Sequence, residues 1–159
     1  VYTYSGGVWS SAVVLDSTSL TASVNFGWSV YCSPTGESII VGAPNAEYAA
    51  VYIYDGSSWG SPTQLPSTAG SGAQFGSAVA LSSDGSIAVV GAPITGYVAA
   101  YQYLGGGLWD IPNIVQNYTG SSTSRFGAAL SISHDGTSLL VGAYAYNNAN
   151  GYTALYAHM

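Results

Sequence analysis

Few side chains in this sequence could carry covalent or acid–base chemistry, and they are scattered. The 159 residues include 7 acidic residues, 2 His, 1 Cys and a single cation, Arg125. His134 lies beside Asp135 in a predicted turn, but no Ser or Cys nucleophile stands next to a base in a pattern typical of hydrolases. The local sequence therefore predicts no catalytic residue, no cofactor and a non-enzymatic protein.

The acidic residues also form no pattern that is typical of a metal site. Asp84 and Asp135 each lie in a Ser-x-Asp-Gly segment, and the corresponding segment at Ser33 has no acid. Calcium takes about six to eight oxygen ligands, several of them from carboxylates, whereas each segment offers one carboxylate. We therefore expect tight turns at these segments and no bound metal.

The charge balance excludes two classes of partner. Charged residues make up 5% of the chain, and the formal net charge is −6. Nucleic acids and anionic membrane surfaces are bound through clustered Lys and Arg, which one Arg cannot supply. No apolar run approaches the roughly 18 residues of a membrane span. The sequence thus predicts no binding to nucleic acid and no membrane insertion.

Cys32 is the single cysteine, so no disulfide can form within one chain. In the repeat described next, it aligns with Leu81 and Ile132, at predicted core positions. Two interpretations stay open. The thiol is a small buried hydrophobe, or it forms a disulfide between chains.

An internal repeat of about fifty residues organises the chain. Each unit carries a Phe-Gly pair, a polar turn and then a Val-Gly-Ala segment. A Tyr-x-Tyr segment and a Gly-rich turn with a Trp follow in the first two of these units. The repeat-defining residues are Phe26, Gly27, Gly42, Phe75, Gly76, Gly91, Phe126, Gly127 and Gly142. This spacing predicts one repeat domain over residues 1–159. Its units cover about 1–50, 51–99 and 100–154, and residues 155–159 overlap into a fourth.

Each unit predicts four β-strands. In the first strand, apolar and polar residues alternate after Phe-Gly. An Asp-Gly type of turn then leads into a second strand that is apolar on both faces. The third is the Tyr-x-Tyr strand. The fourth contains Pro62 or Pro112 and should lie at a sheet edge, because proline cannot donate to a strand ladder. The chain is therefore predicted to be all-β.

The Phe-Gly, Gly-Ala-Pro and Val-Tyr-x-Tyr pattern resembles the FG-GAP repeat family, which builds integrin-α-like β-propellers. The resemblance implies three consecutive four-stranded propeller blades and an extracellular or cell-surface location. A propeller needs about four to eight blades to close, so one chain alone does not close the ring.

Three arrangements would cover the outer faces of the first and last blades: a longer propeller, a six-bladed ring of two copies, or head-to-tail stacking. Because the two ends overlap in the repeat, the start of one copy could complete the last blade of the next. We therefore expect an extracellular structural protein that self-assembles head to tail as a glycosylated filament or fibril subunit. The alternative is a carbohydrate- or protein-binding module of the lectin or adhesion type, or a fragment of a larger propeller.

Two kinds of residue are candidates for ligand or glycan contact. Trp9, Trp59 and Trp109 occur once per unit and either stack on sugar rings or pack over a neighbouring strand. Asn117 begins the only Asn-x-Ser/Thr sequon, in a connection expected at the surface. The expected partners are therefore other copies of the chain and covalent glycans.

Overall fold

The structure, a computed structural model, describes residues 1–16, 20, 24–115 and 122–157. Within these ranges the chain is all-β, with several antiparallel sheets. Among the described residues, helical structure is limited to 3-10 turns at Pro44–Ala46 and Ser122–Ser124, and the segment Tyr146–Ala149 is a tight turn in which Asn147 and Asn148 have positive φ angles. None of the described helical segments has the length and apolar character that crossing a bilayer would require.

The chain begins with a hairpin of two short strands, β1 (Tyr4–Ser5) and β2 (Val8–Trp9). Backbone hydrogen bonds extend this pairing outward, and the N–H of Val13 donates to the carbonyl of Val1 at 2.8 Å. We call residues 1–16 the N-terminal hairpin. It corresponds in the repeat to a third and a fourth strand.

The first sheet has four antiparallel strands in chain order. They are β3 (Ser29–Cys32), β4 (Ser38–Ala43), β5 (Tyr48–Ile53) and β6 (Thr63–Gln64). All six residues of β4 are buried, as the apolar pattern predicted. Pro62 directly precedes β6, whose one strand partner in the described part of the chain is β5, so the proline lies at the sheet edge as expected.

The second sheet repeats this plan with one additional strand. Its strands are β7 (Ala78–Leu81), β8 (Ile87–Ala92), β9 (Tyr97–Gly105), β10 (Leu108–Trp109) and β11 (Asn113–Val115). The long β9 pairs with β8 along one edge, and its other edge pairs with β11 near its start and β10 near its end.

The third sheet has the order β12 (Phe126–Ile132), β13 (Ser138–Ala143) and β14 (Tyr152–Ala157). Among the described residues, β14 has a strand partner on one edge only, which is β13. The second strand of this unit is apolar in sequence, which is typical of a strand covered on both faces, but the structure differs from that expectation because Leu140 in β13 is exposed.

The sheets pack face to face in chain order. Between the first and second sheets the core includes Ile40, Val51, Phe75, Val90 and Tyr101. Between the second and third sheets it includes Val89, Val98, Phe126, Leu139 and Val141. The N-terminal hairpin covers part of the outer face of the first sheet, where Val1 and Leu15 pack against Ile39, Val41 and Tyr52. The structure is therefore a row of sheets with apolar layers between them.

Glycines of the repeat meet across these layers. A Cβ atom on Gly42 would overlap the carbonyl oxygen of Gly76 in the next sheet, and one on Gly91 would overlap that of Gly127. Gly76 and Gly127 also have φ angles of 93° and 90°, which glycine adopts without strain. The Phe-Gly and Gly-Ala segments are thus required where the backbones of consecutive sheets touch.

Two residues of the first strand are exposed although their equivalents in the second sheet are buried. Val30 is 64% exposed, whereas the equivalent Val79 in the second sheet is 8% exposed. Cys32 is also exposed, so its interpretation as a buried thiol is wrong. The N-terminal hairpin supplies only a third and a fourth strand of the repeat. The hairpin covers β4 and β5 on the outer face of the first sheet, and it leaves the same face of β3 open to solvent.

Candidate functional site

A groove of about 1000 Å³ lies between the N-terminal hairpin and the first sheet. One wall is formed by residues 1–4 and 13–16 of the hairpin. The other wall is formed by residues 32, 35–37, 52, 54 and 57–62 of the first sheet. The groove opens where the hairpin stops covering β3. At the equivalent position of the next interface, Leu81 fills the space and is 1% exposed.

Aromatic side chains form a fixed part of the groove surface. Tyr54 and Trp59 are half-buried, and their ring centroids are 5.4 Å apart with the rings tilted by 48°. An isolated bridge between these two residues closes the turn that carries them. Such pairs hold both rings in place, so they present apolar faces to whatever occupies the groove.

Five of the seven carboxylates are engaged by the backbone. Each of these five accepts at least one hydrogen bond from a main-chain N–H: Glu47, Asp55, Asp84, Asp110 and Asp135. Asp55 and Asp135 have pKa values lowered to about 2. The largest contribution to the lowered pKa is a hydrogen bond from the N–H of Ser58 for Asp55 and from the hydroxyl of Ser133 for Asp135. These carboxylates therefore hold turns and sheet contacts.

Asp16 and Glu37 are the two remaining carboxylates, and both line the groove. No hydrogen bond from the described residues reaches either carboxylate. Their backbones are nevertheless held. The hydroxyl of Tyr52 donates to the carbonyl of Asp16 at 2.7 Å, and the N–H of Tyr54 donates to the carbonyl of Glu37 at 2.8 Å. The groove is thus lined by two exposed carboxylate residues whose backbones are held and whose side chains accept no hydrogen bond from the described chain.

Two other polar groups of the groove stay protonated at neutral pH. Burial raises the pKa of Tyr52 to about 12, with smaller contributions from Tyr48 and Asp16. The thiol of Cys32 is partly desolvated although the residue as a whole is exposed, and this partial burial raises its pKa. Because the thiolate is the nucleophilic form, this shift argues against Cys32 as the attacking group. The disulfide between chains stays a prediction.

The three candidate tryptophans are not equivalent. Trp9 is 67% exposed on the N-terminal hairpin, and Trp59 lines the groove. Trp109 packs against the core between the first and second sheets, and its buried Nε1 has no hydrogen-bond partner among the described residues. Of the three, Trp59 alone is placed at the groove. Asn117 lies outside the described residues.

The remaining candidates for chemistry lie elsewhere. His134 is exposed in the turn before β13, and its carbonyl accepts a hydrogen bond from the N–H of Ser83 at 3.0 Å. Asp84 and Asp135 close tight turns, as expected from their sequences. In the part of the chain that the structure describes, no three metal-ligating side chains come together.

The sequence patterns missed Asp16 and Glu37, which are far apart in the chain and belong to no local motif. No local signal sets them apart, because Asp16 precedes Ser17 and Glu37 lies between Gly36 and Ser38, and the turn acids likewise lie beside Ser, Thr or Gly.

No family model matches the sequence, and no curated protein sequence matches it. Solved structures do match. A candidate 6-phosphogluconolactonase from Bacteroides uniformis is 15% identical with a TM-score of 0.51, over 81% of this chain and 40% of that chain. The periplasmic gluconolactonase of Pseudomonas aeruginosa is 18% identical with a TM-score of 0.51, over 80% of this chain and 40% of that chain. The chain therefore spans about two fifths of the length of these proteins, and the likeness shows a β-propeller type of fold.

This comparison contradicts the function expected from the sequence. Both neighbours are named as lactonases, which are hydrolytic enzymes, and neither is named as a structural or adhesion protein. The expectation of a non-enzymatic, self-assembling filament protein is therefore wrong. The non-enzymatic part of this expectation rested on a search for local catalytic signatures, and the self-assembly part rested on the uncovered outer blades and the overlap of the two ends in the repeat.

Proposed function

We propose that the three sheets are consecutive propeller blades, each built on the four-strand plan of an FG-GAP-like repeat. The first sheet has the four strands in order, and the second adds β10 to the same plan. The contacts of Gly42 with Gly76 and of Gly91 with Gly127 support the same repeat, since they recur at each interface. The N-terminal hairpin supplies the third and fourth strands of a preceding unit.

We further propose that the groove is the substrate site of a lactone hydrolase. The observation that carries this proposal is the pair of carboxylate residues that line the groove, Asp16 and Glu37, whose side chains accept no hydrogen bond from the described chain. The aromatic wall of Tyr54 and Trp59 suits the apolar face of a sugar ring. The fold is shared with proteins that are named as sugar lactonases.

The proposed reaction uses Glu37 as the general base. Its carboxylate takes a proton from a water molecule as the water oxygen bonds to the lactone carbonyl carbon. The electron pair of the C=O bond moves to the carbonyl oxygen, and a hydroxyl of the groove wall donates to that oxygen. When the C=O bond re-forms, the bond to the ring oxygen breaks. The ring oxygen takes the proton back from Glu37, and the product is the hydroxy acid.

Asp16 has a different role in this proposal, because it is placed beside Tyr52 at the hairpin side of the groove. Its carboxylate can accept hydrogen bonds from sugar hydroxyl groups. We therefore assign Asp16 to substrate binding and Glu37 to the proton transfer.

The test is hydrolysis of glucono-1,5-lactone by the purified chain, followed as acid release above the spontaneous rate. Glu37→Gln should lower kcat by about 100-fold, since a positioned base contributes on that order. Asp16→Asn should mainly raise KM. Asp135→Asn, in a turn of the third sheet, is the matched control and should leave both constants unchanged. A wild-type rate equal to the spontaneous rate, or equal losses in Glu37→Gln and the control, would refute the proposal.

We also propose a location outside the cytoplasm. The support is the very low charge of the chain and the periplasmic name of one structural neighbour. Glycosylation at Asn117 belongs to the same proposal and stays a prediction.

A further inference from the structure

Tyr54 lies directly opposite Glu37, the proposed base, on the groove side of the first sheet. The register of β4 and β5 pairs Ser38 with Ile53, so the next pair outward is Glu37 with Tyr54. The N–H of Tyr54 donates to the carbonyl of Glu37 at 2.8 Å and holds this pairing. Because directly opposite residues of antiparallel strands project to the same face, both side chains belong to one wall of the groove.

The ring of Tyr54 is fixed, whereas its hydroxyl is not used by the protein. Trp59 packs against the ring with a centroid distance of 5.4 Å. Within the described chain, the Tyr54 hydroxyl forms no hydrogen bond with another residue. Since a phenolic hydroxyl is both a donor and an acceptor, this one is available to a ligand in the groove.

The equivalent tyrosine of the second sheet shows a different use of the same hydroxyl. Tyr103 packs against Trp109 with a centroid distance of 5.2 Å, close to the value for the first pair. Its hydroxyl accepts a hydrogen bond from the N–H of Gly107 at 2.9 Å. In the second sheet, the tyrosine hydroxyl therefore closes the turn between the tyrosine and the tryptophan.

In the first sheet, a carboxylate closes this turn instead. Asp55 accepts hydrogen bonds at 2.8 Å from the N–H groups of both Ser57 and Ser58. The turn donors are thus satisfied without the neighbouring tyrosine. Asp55 therefore leaves the hydroxyl of Tyr54 without a structural task, on the wall that also carries Glu37.

Most other hydroxyls of this wall already have partners. That of Tyr52 donates to the carbonyl of Asp16 at 2.7 Å, and that of Thr35 lies 3.0 Å from the hydroxyl of Ser33. The two serine hydroxyls of the turn donate to Asp55. Tyr54 thus combines a fixed ring, an unused donor and a position opposite the proposed base.

We propose that Tyr54 is a catalytic residue of the lactone hydrolysis, and that its hydroxyl donates a hydrogen bond to the lactone carbonyl oxygen. This inference rests on the proposed function and identifies the wall hydroxyl of that reaction. Glu37 takes a proton from the attacking water, and the electron pair of the C=O bond moves to the carbonyl oxygen. Tyr54 keeps its own proton and stabilises the charge on that oxygen. When the bond to the ring oxygen breaks, Glu37 returns the proton to the ring oxygen.

Tyr54→Phe removes the hydroxyl and keeps the ring against Trp59. We expect kcat to fall about 100-fold while KM changes by less than about twofold, because the hydrogen bond strengthens as charge develops in the transition state. The urea midpoint should equal that of the wild type, since the hydroxyl has no partner in the described chain.

Tyr103→Phe is the matched control and should show the opposite result. Its kcat and KM should be unchanged, because Tyr103 does not line the groove. Its urea midpoint should fall, since the N–H of Gly107 loses its acceptor. A purely structural role for the hydroxyl at position 54 would not separate activity from stability in this way.

Hydrolysis of glucono-1,5-lactone and urea unfolding, each measured for the wild type and the variants, give a decision in every case. A full rate in Tyr54→Phe beside a loss in Glu37→Gln would overturn the role of Tyr54 and leave the proposed function in place. A fall in the urea midpoint of Tyr54→Phe that matches the fall in Tyr103→Phe would assign the hydroxyl to the fold instead. A wild-type rate equal to the spontaneous rate would overturn both proposals.

Discussion

The role of each carboxylate in this protein depends on whether a backbone N–H group donates a hydrogen bond to it. Asp55 and Asp135 accept several hydrogen bonds inside their own turns, and this holds their pKa at about 2. Asp16 and Glu37 face the groove without such donors from the described chain, so their oxygens are available to a ligand. The few acids of the sequence are thus divided between turn closure and the proposed site by their immediate neighbours.

The turn carboxylates predict an acid-sensitive stability. The folded pKa of Asp135 is about 2, below its ordinary value of 3.8. A depressed pKa stabilises the folded state above the unfolded value, and this contribution is lost as the pH falls from about 4 to about 2. We expect the urea midpoint to fall over this window.

The double variant Asp55→Asn/Asp135→Asn should show a smaller fall, because its turns no longer titrate. Urea unfolding at pH 5 and pH 2.5, followed by circular dichroism, measures both proteins. A pH dependence that is identical in the two proteins would show that other groups control acid stability.

At the scale of the strands, the repeat glycines join consecutive sheets. Gly91 in β8 touches the backbone of the Phe-Gly segment that opens β12, whereas a Cβ atom on Gly142 in β13 would meet only Ala129 of its own sheet within the described chain. The same repeat position is therefore tightly packed in one sheet and open in another.

This difference predicts opposite sensitivities to one methyl group. Gly91→Ala should lower the free energy of unfolding by about 1 to 3 kcal/mol, since the two backbones must separate to admit the Cβ atom. Gly142→Ala is the matched control and should cost less, because only Ala129 has to move. Chemical denaturation of the two variants beside the wild type gives both values. If both variants lose the same free energy of unfolding, the contact at Gly91 is not tight in solution.

Most strands could be predicted because their signals are local. The alternation after Phe-Gly, the Asp-Gly turn and Pro62 each depend on a few adjacent residues. The exposure of Val30 and Cys32 could not be predicted, because it depends on how much of β3 the N-terminal hairpin covers. The groove and its carboxylates could not be predicted for the same reason, since the groove forms only where the hairpin meets the first sheet.

At the scale of the whole molecule, the row of sheets has a centre and two unequal ends. The second sheet is covered on both faces, and five of the six residues of β8 are buried. The first sheet is partly covered by the N-terminal hairpin, whose residues are mostly exposed. The third sheet has one solvent-facing side. In repeat arrays, such differences in neighbouring contacts set the local stability of each unit.

Native-state hydrogen exchange should therefore reveal a gradient from the centre to the ends. Amides of β8 should exchange only by global unfolding, because opening this strand breaks two apolar layers. Amides of β14 and of the N-terminal hairpin should exchange at least about tenfold faster, by local opening. Mass spectrometry of peptides from the three regions under one set of conditions measures the difference. Protection of β14 as strong as that of β8 in dilute protein would contradict the gradient, since it would require the outer face of the third sheet to be covered.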